Sequence, residues 1–349
     1  MKIAIDCSRL NTEKKTGTHR FLIGFLNELS KRDGLELFFY FNYLDKGLAD
    51  FKFLKKGKVI VLEKSFYTQL TLLGELHKYD YFVFPWQTVP FLSFLTSGNV
   101  VAIIHDTGFT FKTKLITFLT QIFSKELYSV SKSTSEKLIK KTNLITEGVD
   151  ISIFYKIKDL ELNNLKRNLS IPEKYLLSVG RIEERKNIFN NLEAFSIVSK
   201  FYPTLKYCFV GNFEIDENII YSYLDKLMID RDRVVFKNYL SDKELNLVLN
   251  SCELVVFTSK EEGFGLPVLE SYSVGKWVIL SRIQQLAELS LTAKQLVDPN
   301  NPKEIAEAIV YFLSNKLKLK KEFNPERILE IHSWKNSVDL FLKGLSHGR

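Results

Sequence analysis

FTSKEEGFGLPVLESYSVGKWVIL, residues 257–280, holds the signal on which the reading of the fold turns. An apolar run closes at Phe257, a loop brings two acidic residues and two glycines, Pro267 opens a helical segment, and a second apolar run starts at Trp277. That order is strand, loop, helix, strand. Glu262 falls in the loop and Glu270 inside the helix, so both can face a ligand held at the helix mouth. Gly263 and Gly265 let main-chain N–H groups approach such a ligand, and Pro267 suits a first helical turn. A helix start reached this way attracts anions, because its unpaired N–H groups and the positive end of its dipole point together.

The rest of the chain repeats the alternation. Residues 2–6 (KIAID) predict a buried strand of parallel type. A loop, Gly17 to Arg20, then leads into a helix with Phe21, Phe25, Leu26 and Leu29 on one side. Strand-like runs follow at 37–41, 59–62, 81–84, 100–104 and 143–146. Residues 151–170 lose periodicity and read as a connection. Beyond it come strands at 175–179, 206–210, 234–236 and 254–257. Ser241 with Glu244 predicts a capping box, and Asn301-Pro302 with Glu304 predicts another helix start. The fold class is therefore α/β, with parallel sheets covered on both faces.

At 349 residues the chain exceeds what one core usually serves, which predicts two domains. No apolar run approaches the roughly 20 residues that cross a bilayer. MKIAIDCSRL alternates like a strand and does not read as a signal peptide, so a cytoplasmic chain is expected. Cys7, Cys208 and Cys252 are scattered without metal-ligand spacing and read as buried free thiols. The net charge of +8 suits a phosphorylated substrate or an anionic membrane. No nucleic-acid-binding motif is present, and nucleic acid is not expected as a partner.

Residues 109–141 hold seven lysines against two glutamates. Within them Leu115, Ile116, Leu119, Ile122, Phe123 and Leu127 predict one helical stripe, with Lys114, Thr117, Gln121 and Lys125 opposite. The ordinary reading is that this stripe packs on the sheet. The sharper one is docking of residues 109–125 on an anionic membrane, with Phe109, Phe111 and Phe118 as the residues to watch.

Arg181 and Lys186 sit five apart in a loop after a strand. Taken alone they read as surface cations. Taken with Glu262 and Glu270 they read as a clamp on a diphosphate, whose grip strengthens as the leaving group gains charge. Glu270 has apolar neighbours along its helix face and needs a partner, which paired sugar or ribose hydroxyls supply. His105-Asp106 ends a strand where ligands bind in open parallel sheets, and the histidine serves either a ligand or its own neighbour. Asp230-Arg231-Asp232 mimics a two-aspartate metal site but reads as a solvated loop. No metal is expected.

Together, Glu262-Gly263-Phe264-Gly265-Leu266-Pro267-Val268-Leu269-Glu270, Gly180-Arg181 with Lys186-Asn187, and Asp298-Pro299 resemble the family-four retaining glycosyltransferases of GT-B fold, including bacterial polysaccharide mannosyltransferases. The resemblance implies two Rossmann-like domains facing a central cleft. Residues 1–165 would bind the acceptor, 166–332 the nucleotide sugar, and the helix of 333–349 would cross back to the first domain.

It further implies that Arg181 and Lys186 bind the diphosphate with Gly17 approaching it, and that Glu270 takes the ribose hydroxyls. Asn238, Tyr239 and Leu240 would line the base. Glu262 would hold the donor sugar beside the main chain of Gly263, Phe264, Gly265 and Leu266, with His105 reaching it from the first domain. Glu262, His105, Arg181 and Lys186 are thus the expected catalytic set.

The implied reaction moves a hexose from a nucleotide diphosphate sugar, GDP-mannose being slightly favoured, to a glycan or lipid-linked acceptor with no cofactor. A non-catalytic nucleotide-sugar-binding subunit and a sugar phosphorylase share the fold and stay open. A dehydrogenase does not, because no G-x-G-x-x-G follows the first strand. Ser271-Tyr272-Ser273 and Lys276-Trp277 depart from the family pattern, which predicts altered packing rather than altered chemistry.

Overall fold

The computed structural model describes all residues except 12–15, 45–50, 64–66, 108–109, 159–161, 163–169 and 348–349. The chain divides into two compact units, residues 1–148 with 331–349, and residues 149–330.

The first unit holds a seven-stranded parallel sheet of β1 (Lys2–Asp6), β2 (Glu36–Phe41), β3 (Lys58–Val61), β4 (Tyr81–Phe84), β5 (Val100–Ile104), β6 (Glu126–Ser129) and β7 (Asn143–Leu144). Its spatial order is β3-β2-β1-β4-β5-β6-β7. Strand β1 pairs with both β2 and β4, so the order reverses there. The central strands are unbroken apolar runs because helices cover both faces; all five residues of β5 are buried. Helix α1 (Gly17–Leu29) buries Phe21, Leu22, Phe25, Leu26 and Leu29, the stripe its spacing predicts.

Two expectations fail between 109 and 141. Helix α2 spans Phe111–Phe123, and the stripe does not continue to Leu127, which lies buried in β6. Ser124 ends the helix in an extended conformation, its hydroxyl donating to Thr120 O at 2.6 Å, and Lys125 N–H then donates to Val100 O at 2.8 Å. Nor does α2 pack its whole apolar side inward: Ile116, Leu119 and Phe123 are half-buried, Phe123 against the core. Thr117, Thr120 and Gln121 are buried, while Leu115, Phe118 and Ile122 are exposed. Phe109 lies outside the described residues. A short helix, α3 (Lys132–Glu136), follows β6.

The second unit holds β8 (Tyr175–Val179), β9 (Lys206–Val210), β10 (Val234–Lys237), β11 (Leu254–Phe257), β12 (Val278–Ser281) and β13 (Leu296–Val297), all parallel in the order β10-β9-β8-β11-β12-β13. Between the strands run α4 (Ile188–Val198), α5 (Glu217–Lys226), α6 (Asp242–Ser251), α7 (Leu266–Ser273) and α8 (Gln284–Ala287), and α9 (Pro302–Ser314) follows β13. The predicted caps form: Ser241 N–H donates to the Glu244 carboxylate at 2.8 Å, and Glu244 N–H to Ser241 Oγ at 3.4 Å. Glu304 N–H donates to Asn301 Oδ1 at 3.2 Å.

Residues 155–157, read from sequence as part of a connection within 151–170, are instead held by α6. Tyr155 N–H donates to Asn246 Oδ1 at 3.3 Å and Ile157 N–H to Asn250 Oδ1 at 2.8 Å. The division therefore falls after Gly148 rather than after 165, because two buried asparagines satisfy this backbone. Helices α10 (Lys316–Glu322), α11 (Glu326–Ile331) and α12 (Trp334–His347) close the chain. Within the first unit Trp334 meets Phe21 edge-on at 5.6 Å, and Phe341 meets Phe25 at 5.1 Å. Tyr128 Oη donates to Phe341 O at 3.0 Å.

Candidate functional site

In the second sheet the strand order reverses at β8 and β11, which pair through Leu176 with Leu254 and Leu177 with Val255. Loops leaving neighbouring strands at such a point diverge, and the gap between them is where open α/β sheets bind ligands. The two loops here are 180–187 and 258–265, the segments that carry Arg181, Lys186 and Glu262.

The loops are fastened to each other by main chain and side chain. Lys260 N–H donates to Arg185 O at 2.8 Å, and Arg185 Nη1 donates back to Glu261 O at 2.8 Å. Lys186 Nζ then donates to Glu262 Oε1 at 2.5 Å, with Arg185 Nη1 3.4 Å from Glu262 Oε2. Arg185 also donates to Glu183 Oε1 at 2.7 Å. The Lys186 ammonium stands 5.1 Å from the centre of the Phe257 ring. Burial alone raises the Glu262 carboxyl, but the charges of Lys186 and Arg185 outweigh it and hold the acid below the usual carboxylate range.

Backbone geometry places the lysine. A 3₁₀ turn at Glu184–Lys186 is stopped by Asn187 in the left-handed region at φ 64°, whose Nδ2 donates to Pro299 O at 2.7 Å. This contact explains the pairing of Lys186-Asn187 with Asp298-Pro299 in the sequence. Arg181, Lys186, Phe257 and Ser259 line one recess with Gly180. Arg181 is about half exposed and 3.6 Å from Glu214, so its guanidinium is not locked into the Lys186 and Glu262 pair.

Helix α7 begins beside the acidic loop. Gly265 precedes it at φ 131°, a conformation closed to ordinary side chains, and Pro267 occupies the first turn. Phe264, Leu266 and Glu270 are buried, while Gly263 is half-buried. Asn238, Tyr239 and Leu240 follow β10, two strands from β8 at the same carboxyl edge; Asn238 is exposed.

The departures at 271–277 make packing contacts. Tyr272 Oη donates to Leu289 O at 2.9 Å, Lys276 Nζ to Cys252 O at 2.6 Å, and Trp277 packs on Phe312. Arg231 pairs with Asp225 at 2.6 Å and Asp232 lies 3.6 Å from Lys206, which occupies the mimic of a metal site with ordinary ion pairs.

In the first unit, His105 follows β5 and is buried. Its Nε2 lies 3.1 Å from Pro85 O, its Nδ1 3.5 Å from Glu147 Oε1, and its ring meets Phe21 edge-on. Gly17 is the first residue of α1. Next to it Thr16 N–H donates to His19 Nδ1 at 3.2 Å, which leaves His19 Nε2 to donate to Arg9 O at 2.8 Å.

Sequence reasoning missed two residues. Arg185, which contacts Glu261 and Glu262, belongs to no motif; its only signal in the sequence is the paired charge of Glu183-Glu184-Arg185-Lys186. Asp6, at the end of β1, is buried and pushed up to about 6 by that burial, against the Ser8 hydrogen bonds that lower it. Its main-chain oxygen accepts from Trp86 Nε1 at 2.8 Å.

Residues 163–327 match the family model described as Glycosyl transferases group 1. The serotype-specific mannosyltransferase WbdA of Escherichia coli is 25% identical over 236 residues, covering 63% of this chain and 28% of that protein. The O-antigen biosynthesis glycosyltransferase WclY of Escherichia coli is 29% identical over 186 residues, covering 53% of this chain and 50% of that one. The chain thus spans between about a quarter and a half of the length of these relatives. Among solved structures, Anabaena HepE in complex with UDP-glucose superposes with a TM-score of 0.80 at 18% identity, covering 99% of this chain and 100% of that one. WaaG, a glycosyltransferase involved in lipopolysaccharide biosynthesis, gives 0.70 at 14% identity and covers 99% of each. The fold is GT-B.

Proposed function

We propose that this GT-B chain, with a group 1 glycosyltransferase domain in its C-terminal half, moves a hexose from a nucleotide diphosphate sugar to a hydroxyl of a glycan or lipid-linked acceptor in surface polysaccharide synthesis. The observation that carries this reading is the Lys186–Glu262 pair at the switch point of the second sheet, beside the start of α7. A cation and a carboxylate held against each other there suit a ligand that has phosphates at one end and hydroxyls at the other.

In this reading Lys186 and Arg181 take the diphosphate with the N–H groups of Phe264 to Leu266. Glu262 accepts from hydroxyls of the sugar and Glu270 from those of the ribose. As the bond from the anomeric carbon to phosphate oxygen breaks, negative charge collects on the β-phosphate, where Lys186 and the helix dipole stabilise it. The acceptor oxygen attacks from the face the phosphate leaves, and its proton passes to that phosphate, so configuration is retained. These cations stand in the role a divalent metal would take, and no resident cofactor is invoked. The named mannosyltransferases among the relatives favour GDP-mannose as donor.

Release of nucleoside diphosphate from a panel of UDP-, GDP- and ADP-sugars, with Glu262→Ala as control, tests the reading. Turnover of one donor that falls roughly 100-fold in the variant supports it. Donor turnover undiminished in Glu262→Ala overturns it, and a melting shift with one nucleotide but no turnover identifies a binding subunit instead.

A further inference from the structure

A surface helix ordinarily turns its apolar stripe inward. Helix α2 does so only in part: Ile116, Leu119 and Phe123 are half-buried, while a second apolar face is left outside and polar residues are the ones fully buried. Its buried side carries Thr117, Thr120, Gln121 and, just past its end, Ser124. Its exposed side carries Phe111, Leu115, Phe118 and Ile122, spaced four, three and four residues apart and therefore on one face. Phe111 is 84% exposed.

This orientation is built in by hydrogen bonds. Thr120 Oγ1 donates to Gln87 O at 2.7 Å, and Gln121 Oε1 accepts from Ile139 N–H at 2.8 Å. Rotating the helix to bury its apolar face would strip these partners from buried oxygens and amides.

The apolar surface continues beyond the helix. Phe94 stacks on Phe123 at 5.8 Å and is 65% exposed, as is its neighbour Leu95 at 68%. On the Gln121 side, Ile139 is 81% exposed. Exposed lysines surround this surface: Lys112 and Lys114 within the helix, Lys125 just past it, and Lys137, Lys140 and Lys141 near Ile139.

We infer that this face of the first unit lies on an anionic lipid bilayer, with Phe111, Phe118, Ile122 and Phe94 in the headgroup boundary and the lysines against lipid phosphates. An apolar strip edged by cations is the arrangement that an interfacial helix uses. A second copy of the chain is the poorer occupant, since an isologous pair would set one lysine-rich rim against another. The inference extends the lipid-linked acceptor proposed above but does not rest on sugar transfer, because adsorption needs no turnover.

Flotation of the full chain with phosphatidylcholine vesicles, with and without phosphatidylglycerol, tests it. The chain should float with the anionic vesicles at low salt and less so at high salt. F118E/I122E changes two exposed positions, so it should melt like the parent while binding roughly tenfold or more weakly. K112E/K114E should lose only the preference for anionic lipid. Absence of flotation at low salt, or unchanged binding by F118E/I122E, overturns the inference. So does a parent that is dimeric by light scattering and becomes monomeric in F118E/I122E, which would assign the face to a second copy. Turnover of a water-soluble acceptor by F118E/I122E reads the transfer proposal separately.

Discussion

Lys186 Nζ and Glu262 Oε1 lie 2.5 Å apart, joining two loops that leave adjacent strands β8 and β11. Each residue solves the other's desolvation problem, and Arg185 supplies a second cation to the same carboxylate. A ligand that takes Lys186 for its phosphates therefore leaves Glu262 with Arg185 rather than with nothing.

Lys186→Met removes one side of this pair. Its folded state should lose about 2 kcal/mol at neutral pH, read by urea unfolding, since a mostly buried carboxylate keeps only Arg185. The folded pKa of Glu262 is depressed, so the stability it contributes is present above the unfolded value and lost as pH falls through the folded one. The variant should accordingly shed less stability than the parent between neutrality and acid pH, and should bind the donor nucleotide more weakly.

Gly211→Ala tests the backbone behind Gly180, which lines the recess. Gly211 follows β9 at φ 154°, and a Cβ there would stand 1.9 Å from Gly180 O. Backbone cannot swing aside as a side chain can, so the loop carrying Arg181 and Lys186 must move. A loss of about 2 kcal/mol or more is expected, with weakened nucleotide binding in the same thermal-shift experiment.

Helix α2 makes a paired prediction. Thr120→Val removes a hydroxyl that donates to Gln87 O and should cost about 1 kcal/mol, although it puts a more apolar residue in a buried site. Phe118→Ser removes a large apolar group from an exposed site and should change stability by less than about 0.5 kcal/mol. The opposite ranking would show that the apolar face is the buried one.

His332 sets an acid limit. Burial lowers it from 6.5 to about 4, against a hydrogen bond with the Glu147 backbone that raises it. Its depressed folded value means that the contribution is complete above pH 6.5 and lost as pH falls towards 4. The size is about 3 kcal/mol over that window. His332→Gln should flatten the fall in unfolding free energy between those pH values.

Much of the fold was legible because periodicity reports burial. The run of β5 and the stripe of α1 lie in the structure where their spacing predicts, as do the caps at Ser241 and Asn301. The start of α7 was legible for a related reason: Gly265 at φ 131° and Pro267 in the first turn are a local pattern, set by backbone chemistry within one loop. What was not legible depended on partners distant in sequence. Thr120 faces inward because Gln87 O awaits it, and no spacing within residues 111–123 encodes that oxygen. Leu127 fits a helical stripe and a strand equally well, and Val100 decides in favour of the strand by accepting from Lys125. Arg185 was not legible because its partners Glu261 and Glu262 lie three helices and three strands further along the chain.

The first unit is assembled from two stretches that residues 149–330 separate, and this dictates an order of events on the ribosome. Phe341 and Trp334 meet Phe25 and Phe21, yet they emerge only after residues 149–330 have been synthesised. The nascent N-terminal segment must wait with that aromatic surface of α1 uncovered while the intervening unit has all its residues and can fold first. Chaperone engagement during translation should therefore concentrate on residues 1–148, and end when α12 clears the exit tunnel.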